Sequence, residues 1–246
     1  MRQVLPVPAD RVEVSDCYAG DDRPSPAGRP WVVLNMVASI DGATAVAGRS
    51  GGLGTPADRA VFTALRALAD VIVVGAATVR AEGYGPVRTP EVEQQRRLVR
   101  GQTRFPRIAV VTGRLDLDLS TPLFTESVEP PIILTGTGPS AEAIAQAATV
   151  AEVHVVGGAH VDLGAGLAAL AQLGAGVVLC EGGPNLNGQL LALGLVDEIC
   201  LSVAPVLAGG DSARIIHGAA PVSPEPMRLD RALEDDGMLL LRYVRA

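Results

Sequence analysis

Aromatic side chains are scarce in this sequence: three Phe, three Tyr and one Trp amount to 3% of its 246 residues. That leaves too few flat surfaces for a platform on which nucleic-acid bases could stack. Cations are also in the minority, with 20 Lys and Arg against 27 Asp and Glu and a formal charge of −7. No basic run with interleaved aromatics occurs, so a nucleic-acid partner is not expected. Cysteine is limited to Cys17, Cys180 and Cys200, odd in number and widely spaced. Without a CxxC pair, neither a disulfide framework nor a zinc site is indicated. The three histidines, His154, His160 and His217, show neither metal-ligand spacing nor a triad partner, and no metal is expected. No apolar run approaches the roughly 20 residues that span a bilayer. Asp10, Arg11, Glu13 and Asp16 argue against a signal peptide, so a soluble, cytoplasmic protein without membrane association is expected.

What is present is apolar and glycine-rich: 48% hydrophobic residues, 19% charged and 28 Gly. That is the composition of a packed α/β protein. Residues 1–29 read as an N-terminal lead-in, ending in the Pro- and Gly-rich DDRPSPAGRP, and residues 30–246 as one mixed-sheet domain. Apolar runs at 31–37, 71–74, 108–111, 132–135, 153–156 and 177–180 predict strands. Helical patterns at 55–69, 140–147, 163–173 and 185–193 separate several of them, as βαβ units with a largely parallel sheet require. Segments 198–203 and 238–244 read as strands with no clear helix between them, which predicts antiparallel pairing near the C-terminus. The acidic run Glu234-Asp235-Asp236 reads as a solvated turn before the last strand.

Ligands of open α/β sheets bind beyond the carboxyl ends of the parallel strands. Several loops leave strand ends here with unusual chemistry. The first is EGGPNLNG at 181–188, where Gly182 and Gly183 precede a helix start able to face an anion. It matches neither Walker A nor GxGxxG, and a tight strand-to-helix turn explains its glycines equally well. The second, VGAATVRAEG at 74–83, places Thr78, Arg80 and Glu82 after a strand. A surface helix end followed by a Gly/Pro turn is the simpler account of it. The third, Ser39-Ile40-Asp41-Gly42, is ordinary turn chemistry when taken alone. Thr112-Gly113-Arg114 leaves another strand, and Arg114 could pair with a cofactor 2′-phosphate.

These blocks recur together, and in order. Residues 35–42 (NMVASIDG), Leu65-Arg66-Ala67 before Asp70, 74–83, 181–188, and 193–206 (LGLVDEICLSVAPV) followed by Leu207-Ala208-Gly209-Gly210 carry the likeness. The chain resembles the reductase domain of bacterial riboflavin biosynthesis, the RibD C-terminal family. The resemblance implies the dihydrofolate-reductase-like three-layer α/β fold, with a mixed, mostly parallel sheet and antiparallel C-terminal strands. It implies NADPH as cofactor, with Ala38 on the nicotinamide side and Thr78 and Glu82 lining its pocket. Thr112 would stand by the adenosine phosphate, and Arg114 is added on charge grounds. Gly182, Gly183, Pro184, Asn185 and Leu186 would hold the diphosphate. Arg66, Glu181 and Ser50 would face the substrate, and a homodimer is implied.

The implied reaction is hydride transfer to the ribosyl C1′ of 5-amino-6-(5-phosphoribosylamino)uracil or a close analogue, with Glu82 and Asp41 as candidate proton donors. Three departures stand out. No zinc-deaminase pattern (H-x-E with PC-x-x-C) is present, Asn35 replaces a lysine of the bifunctional relatives, and Gly51-Gly52-Leu53-Gly54 replaces a Trp-containing segment. Reduction of a pterin such as dihydrofolate, or NADPH binding without turnover, are the alternatives.

Overall fold

The computed structural model describes residues 1–218 and 223–246. In chain order the elements are β1 (Arg2–Leu5), α1 (Val14–Ala19), β2 (Trp31–Ser39), α2 (Pro56–Leu68), β3 (Val71–Gly75), α3 (Ala76–Glu82), α4 (Glu91–Val99), β4 (Arg107–Val111), α5 (Pro122–Thr125) and β5 (Ile132–Thr135). They continue with α6 (Ala141–Ala147), β6 (Glu152–Val155), α7 (Leu163–Gln172), β7 (Val177–Cys180), α8 (Pro184–Ala192), β8 (Glu198–Ala204), β9 (Met227–Asp235) and β10 (Met238–Arg245). The chain divides into two compact units. The first contains Met1–Pro24, Trp31–Arg66 and Leu179–Ala246; the second contains Ser25–Pro30 and Ala67–Val178.

The first unit carries the strand order β1-β9-β10-β8-β2. β2 and β8 run parallel, whereas β10 pairs antiparallel with both β8 and β9, and β1 antiparallel with β9. Its two faces are covered by different helices. Met36 of β2 meets Asn187 of α8. Ser202 of β8 bonds Asp58 of α2 and stands beside Val37 in the register, so it lies on the face opposite Met36. Helix, sheet and helix make three layers.

The second unit is the parallel order β3-β4-β5-β6, buried along β3 and β5 as expected of strands covered on both sides. A mostly parallel α/β arrangement with antiparallel C-terminal strands is therefore what the chain adopts. Arg97 of α4 is fully buried and donates to the carbonyl oxygens of Ala67 and Ala69 at 2.8 and 2.7 Å, closing the end of α2.

The strands and helices foreseen from hydrophobic pattern appear with ends shifted by one or two residues. Five elements were not foreseen: β1, α1, α4, α5 and β9. The lead-in expected at 1–29 supplies β1 and α1 to the first unit. β9 escaped because Arg228, Asp230, Arg231 and Glu234 break any apolar alternation. Their charges are paired across the unit instead, Arg231 with Asp21 and Asp230 with Arg242. Glu234 and Asp235 therefore end a strand, and only Asp236 and Gly237 turn, both at positive φ as a type I′ hairpin requires.

Candidate active site

The last residue of β7 and the residue that follows it part to opposite faces of the sheet. Cys180 Sγ donates to Asn187 Oδ1 on the α8 side. Glu181 points the other way and receives both Arg66 Nε and Arg66 Nη2 at 2.7 Å, a bidentate pair. α2 presents Arg66 in its last turn, where the guanidinium also lies 4.2 Å over the Phe62 ring. The Glu181 side chain is 3% exposed, but that of Arg66 is 23% exposed, so the pair opens toward solvent. Sequence resemblance placed both residues toward substrate, and the structure brings them together.

The same face carries two further polar groups. Asn35 stands mid-strand in β2 beside Cys200 in the register, and its buried Oδ1 has no hydrogen-bond partner. A polar side chain inside an apolar strand was the available signal. Asp58, in the first turn of α2, bonds Ser202. Burial raises its pKa more than the Ser202 bond and Arg59 lower it.

On the opposite face the chain turns through Gly182 at φ +89, left-handed backbone that favours glycine, and the Gly182–Gly183 peptide is cis. Gly183 is the N-cap of α8, no side chain caps the helix, and Pro184 occupies its first turn. The helix start thus presents backbone N–H groups of Asn185 and Leu186 rather than a capping hydroxyl or carboxylate. This is the geometry that receives a phosphate oxygen. A diphosphate fits here on backbone grounds.

The loop after β2 behaves differently from expectation. Asp41, a candidate proton donor from sequence, accepts from Ser39 Oγ and from the backbone N–H groups of Ala208 at 3.1 Å and Gly209 at 2.7 Å. The Ser39 hydroxyl and the two amides hold its pKa at about 2. A carboxylate so held is ionised at neutral pH and cannot give up a proton there, so Asp41 is withdrawn as an acid. Ala38 is buried one residue before Ser39, and Ser50 begins a short 3₁₀ turn, half-buried.

Thr78, Glu82, Thr112 and Arg114 all lie in the second unit. Thr78 is half-buried in α3 and Glu82 is exposed at the end of that helix, before Gly83 at φ +67. Thr112 is buried at the end of β4, its hydroxyl accepting from Leu115 N at 3.1 Å, while Arg114 is exposed in the turn. Among the described residues no group of three or more His, Cys, Asp or Glu is disposed to hold a metal ion. Among the described residues no helix is long and apolar enough to cross a membrane.

The chain is 31% identical over 193 residues to the 2,5-diamino-6-ribosylamino-4(3H)-pyrimidinone 5′-phosphate reductase of Archaeoglobus fulgidus, which covers 77% of this chain and 87% of that protein. It is 31% identical over 201 residues to the protein of the same name from Methanothermobacter thermautotrophicus, covering 76% and 83%. A solved pyrimidine reductase-like protein of Corynebacterium diphtheriae superposes with a TM-score of 0.82 at 26% identity, covering 96% of this chain and 99% of the other. The match to the RibD C-terminal domain model runs from residue 30 to residue 239, and the chain belongs to that family.

Proposed function

We propose that this protein is an NADPH-dependent oxidoreductase of riboflavin biosynthesis, reducing the ribosyl group of a 6-ribosylaminopyrimidine 5′-phosphate to ribityl. The adjacency of Glu181 to the Gly182–Gly183 turn carries this reading. One residue of the β7 exit faces the α2 side with a charged pair, and the next two open an uncapped helix start. Substrate and dinucleotide are thereby served by consecutive residues of one loop.

NADPH supplies a hydride from the dihydronicotinamide C4 to the ribosyl C1′. The rest falls to the protein. Asn185 and Leu186 hold the diphosphate through backbone N–H groups, with Gly182 and Gly183 permitting close approach and Pro184 fixing the turn. Ala38 packs on the nicotinamide side. Glu181, steadied by Arg66, accepts hydrogen bonds from substrate, and Ser50 assists. Thr78, Glu82, Thr112 and Arg114 are proposed cofactor contacts on the resemblance alone. With Asp41 withdrawn, Glu82 is the residue proposed to protonate the ring oxygen released when the C1′–O bond opens.

The archaeal relatives are named for a 2,5-diaminopyrimidinone, which differs by one exocyclic amino group from the uracil expected from sequence. The unpartnered Asn35 Oδ1 is an acceptor and suits an amino donor. The diaminopyrimidinone phosphate is therefore the proposed substrate, and the uracil its analogue. The proposal extends to a cytoplasmic homodimer, which light scattering checks for subunit number. Loss of NADPH absorbance with each pyrimidine phosphate and with dihydrofolate tests the activity. Turnover of dihydrofolate alone, or dinucleotide binding without turnover of any of the three, would overturn it.

A further inference from the structure

After β8, residues 206–217 run as a strap across the first unit, fastened at both ends. At its start, Val206 O accepts from Ile40 N at 3.0 Å, and Asp41 gathers the Ala208 and Gly209 amides. In its middle, Ser212 Oγ accepts from Thr44 N and Ala45 N at 3.0 and 3.2 Å, and Thr44 Oγ1 donates to Ala213 O at 2.9 Å. At its far end, Ile215 O accepts from Asn187 Nδ2 at 2.8 Å, and His217 N donates to Pro184 O at 3.0 Å. Gly188 completes the seat, since a Cβ there would collide with His217 O.

Pro184 and Asn187 belong to the first turn of α8, which the proposed function gives to the dinucleotide. The strap therefore joins two parts of the unit. One is the exit of β2, where the chain leaves Ala38; the other is the helix start. Only ionised Asp41 can hold its end this way. It accepts from two backbone amides and a hydroxyl at once, and a neutral side chain offers fewer acceptor sites.

We propose that Asp41 is a positioning residue: by clasping Ala208 and Gly209 it fixes the strap whose far end seats the first turn of α8, and so sets dinucleotide affinity without touching a reactant. The inference rests on the cofactor reading above. Loosening the clasp lets residues 215–217 shift against Pro184 and Asn187, which spreads the amides that meet the diphosphate. Binding suffers; the chemical step, once the cofactor is seated, does not.

The test is a fluorescence titration of NADPH, with steady-state kinetics alongside, on wild type, Asp41→Asn, Ser212→Ala and the double variant. The expected result is a rise of about tenfold in the NADPH dissociation constant for Asp41→Asn and a smaller rise for Ser212→Ala. The double variant should fall short of the product, because both pins act through one strap. At saturating NADPH, kcat should stay within about threefold and keep its pH profile, the split expected of lost cofactor binding alone. A fallen kcat with unchanged affinity, or a lost limb of the pH profile, would return Asp41 to the chemistry and overturn the inference. Unchanged affinity in both single variants would overturn it as well. If Asp41→Asn does not fold, Ser212→Ala alone decides. Wild type that fails to bind NADPH sinks the cofactor reading instead, so the two failures are distinguishable.

Discussion

Glu198 and Glu181 are both buried glutamates gripped by arginine in the same unit, yet they are built for different ends. Glu198 opens β8 at 0% side-chain exposure. It accepts from Arg23 Nε and Nη2, Arg242 Nε and Nη2, and Trp31 Nε1 at 2.9 to 3.1 Å. Its arginines are themselves only 6% and 5% exposed. Burial pushes the Glu198 pKa up, but Arg23 and Arg242 outweigh it and hold the group at about 2. These donors, with the Cys200 thiol at 3.4 Å, saturate the carboxylate, and its task is to staple residues 21–23 to β8 and β10. Glu181 is gripped by Arg66, and that arginine is partly open to water. Saturation by buried partners marks a structural carboxylate; a partner open to solvent marks one that can still meet a ligand.

The comparison can be broken most forcefully at Glu198. Glu198→Ala should cost about 3–5 kcal/mol of folding stability, because Arg23 and Arg242 stay buried without their carboxylate. Denaturant unfolding measures this, and a loss no greater than that for Glu181→Gln would erase the distinction. Acid probes the same group. Its folded pKa is depressed, so its contribution is complete above about pH 4.5 and disappears as pH falls toward 2, which unfolding curves across that range should register.

Glu181→Gln should do the reverse, leaving the unfolding midpoint little changed while lowering kcat/KM for the pyrimidine about a hundredfold. NADPH affinity should be unaffected, since the contacts proposed for α8 are backbone N–H groups. Arg66→Lys should be milder, with about a tenfold rise in KM, because an ammonium cannot reproduce the bidentate fork or the stack on Phe62. The smallest effect concerns thiols. Cys180 is fully buried with its pKa pushed up to about 12, and the buried Cys200 thiol is held well above its ordinary value by burial and by Glu198. A thiol reagent on the native protein should label the half-buried Cys17 first, with activity intact.

Parts of this molecule were legible before any coordinates. Val71–Gly75 and Ile132–Thr135 declare themselves by β-branched apolar runs, and α8 by a proline after paired glycines. Arg66 and Glu181 were placed on the substrate side by resemblance, though nothing in their spacing of more than a hundred residues foretold a bidentate pair. β9 was hidden because its charged residues find partners in other parts of the chain, among them Asp21 and Arg242 of β10. Asp41 was misjudged because Ser39-Ile40-Asp41-Gly42 reads as a turn with an available acid. Its partners, the amides of Ala208 and Gly209, lie 167 and 168 residues away along the chain.

The amino-acid sequence by itself determined most of the strands and helices, those in which side-chain periodicity and backbone preference act over a few residues. It also determined where glycine would admit a left-handed turn. What each charged group does was left to the tertiary structure. A carboxylate's role depends on how many donors reach it and how much water remains, and both are set by residues remote in the chain.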